Sequence, residues 1–245
     1  MALLEAQGIS VSFGGLRALG NVTLHAEQGA VTGLIGPNGA GKSTMLGVLS
    51  GLLRPRAGRV AIDGRDVTRL PPHRRARLGM ARTFQRLELW TSMTVAENVL
   101  TAAELASRWH RDYDPRAVGR DVIDRLGLEA VADRSVTELS SGQGRLVEVA
   151  RAMAMTPRVL MLDEPSAGLN ETETQEMGRT LTAMAATGVA ILMVEHHVEL
   201  VTATCSDVYV LDFGETIAHG PPDAIRRDTA VQKAYLGGRH SAAVA

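Results

Sequence analysis

The sequence has a single cysteine, Cys205, in 245 residues. This excludes an internal disulfide framework and suits a reducing compartment. Cys205 lies among small and polar residues and reads as an inert thiol. No apolar run reaches the roughly 18–20 residues that a membrane-spanning helix needs. The start, "MALLEAQGIS", lacks the basic segment and long apolar stretch of a secretory signal. A soluble, cytoplasmic chain is expected, which leaves docking onto a membrane protein open. Net charge is also nearly absent, at −1, so nothing general draws the chain to nucleic acid or an acidic membrane, and no nucleic-acid partner is expected. Lysine is scarce: Lys42 and Lys233 stand alone in a chain whose other basic residues are arginines. A lysine that appears in such a background invites a specific explanation.

What is present begins with an ordinary core composition, 45% hydrophobic and 22% charged. "GISVSF" and "NVTLHA" alternate as strands of a half-exposed antiparallel sheet do. "AVTGLI" (30–35) reads as a buried strand, followed by a Gly-rich turn and a short helix ending near Gly51. "GRVAIDG" is a further strand. From about Val95 to Arg134 the pattern turns helical, with a loop expected at "RWHRDYDPRA". A helix in "LSSGQGRLVEVARAM", a buried strand at 159–162, a helix near 171–186 and a buried strand at 190–194 follow. "DVYVLDFGETIAHG" looks like a hairpin. Buried strands alternating with helices predict an α/β fold with a mainly parallel sheet flanked by helices. To this are added an N-terminal antiparallel β part and an inserted helical lobe. The expected organisation is a single domain over 3–237. Its core occupies about 3–86 and 155–237, its lobe about 87–154, and 238–245 form a tail.

"GPNGAGKST" contains G-x-x-x-x-G-K-S between a buried strand and a helix. Small residues let backbone N–H groups wrap phosphate oxygens, the lysine reaches the terminal phosphates, and the serine can ligate magnesium. The helix N-terminus adds partial positive charge. The expected phosphate-binding residues are Gly36, Pro37, Asn38, Gly39, Ala40, Gly41, Lys42, Ser43 and Thr44. "VLMLDEP" supplies the second half: four apolar residues bury a strand and deliver Asp163 and Glu164 at its C-terminal end, where ligands bind in open α/β sheets. Asp163 is expected to hold magnesium, through water, and Glu164 to polarise the attacking water. Together these motifs define a P-loop nucleoside triphosphatase. The guanine motif N/T-K-x-D is excluded, since Lys233 lies between Gln232 and Ala234 and Lys42 is taken. ATP is the expected nucleotide.

"LSSGQGRLVEVARAM" admits two readings. Leu146, Val149, Ala150, Met153 and Ala154 form one apolar stripe, with Ser140 and Ser141 capping a helix. The same helix start could instead face a phosphate.

The order of motifs settles how the stretch is read. The chain resembles the ATP-binding-cassette (ABC) ATPase family over nearly its whole length. The matching segments are Gly36–Thr44, Gln85 in "ARTFQ", Leu139–Gln143, Val159–Glu164, Ser166–Asn170 and His196 in "LMVEHH". The resemblance implies that Phe13 stacks on adenine, with plain core as the lesser alternative. It implies that Gln85 senses magnesium and the attacking water and couples to a membrane partner. It implies that His196 contacts the terminal phosphate, with His197 peripheral. The implied metal ligands are Ser43, Gln85 and Asp163. The catalytic group comprises Glu164, His196, Gln85 and Lys42. The resemblance also implies two chains packed head to tail, as a homo- or heterodimer, with Ser140, Ser141, Gly142 and Gln143 of one chain facing the ATP bound by the other.

Two departures stand out against the family pattern. Ser141 replaces a glycine, and Gly144, Arg145 and Leu146 replace two polar residues and an arginine. A glycine near a helix start is expected to cost about 1 kcal/mol of local order. Leu87, Leu89, Trp90 and Met93 follow Gln85 and either receive a helix of the membrane subunit or belong to the lobe's core. "FGGLRAL", "ARTFQ", "MTVAENV", "SAGLN" and "AYLGGR" are similar to the ATPases of importers for branched-chain and other hydrophobic amino acids. Urea importers and lipopolysaccharide exporters have similar ATPases. The resemblance therefore implies ATP and Mg2+ as cofactors, integral-membrane permease subunits as partners and, indirectly, a solute-binding protein. It places the chain at the cytoplasmic face of the membrane. An ABC ATPase acting on ribosomes or DNA would carry two cassettes or long insertions, and neither is visible. A nucleotide-binding regulator would be favoured only if Glu164 were missing.

Overall fold

The computed structural model describes residues 1–109 and 113–237. In chain order the elements are β1 (Ala2–Phe13), β2 (Leu16–Glu27), β3 (Val31–Ile35), α1 (Lys42–Ser50), β4 (Ala57–Ile62), β5 (Arg65–Asp66), α2 (Pro72–Ala76), β6 (Met80–Arg82), α3 (Val95–Ser107) and α4 (Pro115–Arg125). Then come α5 (Ser141–Ala154), β7 (Val159–Asp163), α6 (Glu171–Ala186), β8 (Ala190–Val194), α7 (Val198–Thr204), β9 (Asp207–Asp212), β10 (Glu215–Gly220), α8 (Pro222–Arg227) and α9 (Thr229–Gly237).

Two sheets form. The first has the order β2-β1-β4-β5 and is antiparallel; the second runs β10-β9-β3-β8-β7-β6, parallel except for the edge strand β10. β3, β7 and β8 are buried along their whole length, which is why they read as unbroken apolar runs. Their side chains still alternate between two faces. Val159 and Met161 of β7 join a core shared with Leu4, Leu24 and Met45. Leu160 and Leu162 join the other core, with Val99, Val147 and Leu181 from α3, α5 and α6. The parallel sheet is thus packed on both faces, one against the antiparallel part and α1, the other against the helices. No helix among the described residues is long and apolar enough to cross a membrane.

The fold class agrees with the sequence reading, and the differences are local. β1 and β2 each run 12 residues, longer than the alternating segments suggested, because backbone pairing continues past the alternation. The expected loop at "RWHRDYDPRA" ends early: Asp114 caps α4 and Pro115 takes its first position. Residues 110–112 of that loop, and the tail 238–245, lie outside the described residues. The one-sided stripe expected on α5 is corrected. Arg145, Val147 and Glu148 are buried while Leu146 and Met153 are only partly so. The helix is enclosed on several sides by α3, α4 and the segment around Gln85 and Glu88, so a single apolar face does not describe it.

Candidate functional site

The phosphate loop joins the end of β3 to the start of α1. Gly36 sits at φ 151°, and a Cβ there would lie 2.1 Å from the Leu211 carbonyl oxygen, so only glycine fits. α1 begins after Gly41 with no side-chain cap. The first-turn N–H groups of a helix have no partner within it, and here they open onto a cleft of about 640 Å³. Lys42 is 8% exposed and donates Nζ to the carbonyls of Gly36 at 2.6 Å and Pro37 at 2.9 Å. Burial lowers its pKa, and the charges of Glu164 and Asp163 oppose that shift.

Phe13, Asn38–Thr44, Gln85 and Glu164 line one cleft. Phe13 is 51% exposed at its rim, so its reading as core is excluded. Phe213, which sequence reasoning passed over, lines the same cleft from the β9–β10 turn. Pro37 lies behind, contributing its carbonyl to Lys42 and lining a neighbouring hollow.

β7 ends at Asp163, and Glu164 follows in the left-handed region at φ 50°. A non-glycine residue held there is strained, and such strain collects at functional sites. Gln85 Nε2 donates to Glu164 Oε2 at 2.9 Å. His196 Nδ1 lies 3.8 Å from Glu164 Oε1. Asp163 Oδ2 pairs with Arg82 at 2.9 Å, and both side chains are nearly buried. Neither Arg82 nor Glu195, described below, was anticipated. The only signal for them is a charged residue at the end of a short strand, which names no partner.

The donor set suits magnesium. Ser43, Asp163 and Gln85 offer hard oxygens, and among the described residues no three His, Cys, Asp or Glu side chains gather into a metal cage. Magnesium in nucleotide sites is bound through one or two carboxylates and completes its shell largely with phosphate oxygens and water.

Ser140 caps α5 and forms a capping box with Gln143. Gln143 N–H donates to Ser140 Oγ at 3.2 Å, and Ser140 N–H donates to Gln143 Oε1 at 3.2 Å. Ser141 is the first helical residue rather than the cap. The Ser140 hydroxyl still has its own proton to donate. None of these four residues lines the phosphate cleft. Ser140, Gly142 and Gln143 border a separate hollow of about 230 Å³ beside Leu146, Leu169 and Glu173.

The departures after Gln143 acquire physical reasons. A Cβ on Gly144 would stand 3.0 Å from Leu87 Cδ2, so the glycine lets Leu87 lie against the helix. Leu146 packs on the apolar cluster beside Leu169. Arg145 reaches back to the carbonyls of Phe84 at 3.2 Å and Gln85 at 2.5 Å, and pairs with Glu148 at 2.8 Å. Arg151 bonds the Glu88 carbonyl and lies over the Trp90 ring at 3.9 Å. α5 thus holds the segment after Gln85 in place. His197 accepts at Nδ1 from the Leu200 N–H, 3.4 Å away, and caps α7.

A phosphate loop at a strand-to-helix turn, with a carboxylate pair at the end of β7 in the same parallel sheet, makes this a P-loop nucleotide-binding protein. The ABC transporter family pattern matches residues 19–167, and the chain belongs to that family as an ATP-binding cassette ATPase. A second pattern, "Branched-chain amino acid ATP-binding cassette transporter", matches residues 215–241. The chain is 36% identical over 249 aligned residues to the high-affinity branched-chain amino acid transport ATP-binding protein BraF of Pseudomonas aeruginosa, covering 96% of this chain and 98% of that one. It is 35% identical to the lipopolysaccharide export system ATP-binding protein LptB of Acidithiobacillus ferridurans, covering 96% and 97%. Among solved structures, the ATP-binding cassette MJ1267 of an ABC transporter, in its ADP conformation, superposes with a TM-score of 0.87 at 31% identity, covering 97% of this chain and 99% of that chain.

Proposed function

We propose that this chain is the ATP-hydrolysing subunit of an importer for branched-chain or other hydrophobic amino acids, acting at the cytoplasmic face of the membrane through permease subunits. The observation that carries the mechanism is the convergence of Lys42, Ser43, Gln85 and Glu164 on one cleft while the signature residues lie elsewhere in the chain. A phosphate bound by Gly36–Thr44 then lacks the second wall that Ser140–Gln143 would supply, and a second chain packed head to tail provides it.

In this reading the N–H groups at the start of α1 and the Lys42 ammonium bind the phosphates. Leaving the Gly36 and Pro37 carbonyls for phosphate oxygens gives Lys42 an anionic partner. Phe13 stacks on adenine. Ser43, Gln85 and, through water, Asp163 would hold magnesium, which would supply charge neutralisation for phosphoryl transfer. Glu164 accepts a proton from the attacking water, and Gln85, bonded to it, holds that water in line. His196 donates to the terminal phosphate beside Glu164. Positioning and charge stabilisation account for most of phosphoryl-transfer catalysis, so an active site completed by a second chain is chemically sufficient.

The permease contact in this reading lies after Gln85. Phe84, Leu87 and Trp90 are exposed, while Leu89 and Met93 are partly buried. Phe84 and Trp90 flank a hollow of about 360 Å³ with Glu88, Leu105 and Arg151. Leu87 and Trp90 thus suit a helix of the membrane subunit, while Leu89 and Met93 serve the lobe. The match over 215–241 favours amino-acid import. Lipopolysaccharide export is the second reading, favoured by the likeness to LptB. Reconstitution with the membrane subunits and a solute-binding protein, followed by uptake of radiolabelled leucine, decides between them. ATP-driven uptake supports import, and its absence with intact ATPase activity refutes it.

A further inference from the structure

β8 is apolar throughout, yet the next residue is Glu195, whose side chain is 0% exposed. Among the described residues no lysine or arginine pairs with this carboxylate. Burying an unpaired charge is costly unless hydrogen bonds replace water. Here the two oxygens serve two different loops. Oε1 accepts from the Ser166 N–H at 2.9 Å and from Ser166 Oγ at 2.6 Å. Oε2 accepts from the N–H groups of His196 at 2.9 Å and His197 at 3.2 Å. His196 Nδ1 stands 3.8 Å from the same oxygen and 3.8 Å from Glu164.

The contacts continue beyond Ser166. The loop Ser166–Asn170 leads to Asn170, which caps α6 through a capping box with Glu173. The Glu173 carboxylate lies so close to Gly142 that a Cβ there would meet Oε1 at 2.7 Å, and Gly168 adjoins Ser141. An unbroken line of packed and hydrogen-bonded groups runs from His196 through Glu195 and Ser166 to the signature helix start.

We propose that Glu195 is a positioning residue that couples His196 to the Ser166–Asn170 loop and, through it, to Ser141 and Gly142 of the same chain. This rests on the reading that His196 meets the terminal phosphate of one ATP while the signature meets the partner chain's ATP. Under it, Glu195 makes occupancy of one site felt at the other.

The test uses the full chain, with ATPase rates measured across ATP concentration and affinity for a fluorescent ATP analogue. Glu195→Gln keeps the volume, but its NH2 end cannot accept a hydrogen bond, so one of the two loops is released. The wild type is expected to be sigmoidal in ATP. Glu195→Gln should lower kcat by about tenfold or more, given that small misplacements cost up to about 10²-fold. Its Hill coefficient should fall towards one, with nucleotide affinity within about twofold. Ser166→Ala should act in the same direction, Ser166→Thr should restore the rate, and adding Ser166→Ala to Glu195→Gln should cost little more. Additive effects, an unchanged Hill coefficient or a hyperbolic wild type overturn the proposal. If Glu195→Gln does not fold, the Hill coefficients of Ser166→Ala and Ser166→Thr decide. An ATP-dependent dimer of Glu164→Gln tests the underlying reading separately: its formation with unchanged cooperativity sinks only the coupling, and its absence overturns both.

Discussion

Gln85 and Glu164, 79 residues apart, meet through a 2.9 Å hydrogen bond from the glutamine amide to the carboxylate. The bond exists because Arg145 fixes the Gln85 carbonyl at 2.5 Å while β7 fixes the start of the Glu164 turn. In the proposed mechanism, the residue that couples to the membrane partner and the residue that activates water share this one contact.

Glu164→Gln should keep ATP binding and lower hydrolysis by about 10²–10⁴-fold, the range a positioned general base contributes. Because ATP persists, an ATP-dependent dimer should accumulate in gel filtration. A variant that turns over ATP at the wild-type rate would remove Glu164 from the role of base.

Lys42→Ala should weaken ATP binding by roughly 10- to 100-fold, matching about 1.5–3 kcal/mol for hydrogen bonds to a charged group. Calorimetric titration measures it. Fold stability should fall little, because Lys42 is desolvated and its lowered pKa means that the folded state disfavours its charge. The sign follows: the unfolded chain holds this proton more tightly, so Lys42 costs the wild type stability below its folded pKa. That cost fades as pH rises towards the unfolded value.

Arg145→Met should destabilise the fold by about 3–5 kcal/mol, since Glu148 would be left buried without its ion pair. Burial already raises the Glu148 pKa against the pull of Arg145. The same change frees the Gln85 carbonyl, so ATPase activity should fall even where the variant remains folded. Denaturant unfolding and the ATPase rate check the two effects independently. A well-folded variant with wild-type stability would show that the pair contributes nothing.

Cys205 should resist thiol reagents in the folded chain. Burial, with the nearby charges of Glu195 and Asp207, pushes its pKa up to about 12 from the ordinary 9.0. At pH 8 the folded thiol should react about 10³ times more slowly than the unfolded one, because only the thiolate attacks. Timed labelling with and without denaturant reads this ratio. Equal rates would place Cys205 at the surface.

The elements that follow a plain rule were legible. Wholly buried strands appear as unbroken apolar runs, as in β3, β7 and β8, and the capped start of α5 shows in Ser140. The phosphate loop was legible because its glycines answer to local backbone geometry, as at Gly39 and Gly41, with φ 81° and 107°. α5 was misread as one-sided because periodicity registers apolar residues, and Arg145 and Glu148 are buried by pairing with each other.

By itself the sequence determined the α/β class, the order of the elements and the residues able to bind phosphate, since spacing and side-chain chemistry are local properties. Only the tertiary structure decided which distant groups meet: Arg82 with Asp163, Gln85 with Glu164, and Glu195 with both Ser166 and His196. It also gave Gly144 its reason, the approach of Leu87. These are contacts between strand ends and loops far apart in the chain. Their partners are chosen by how the parallel sheet aligns its C-terminal ends, and no local pattern encodes that alignment.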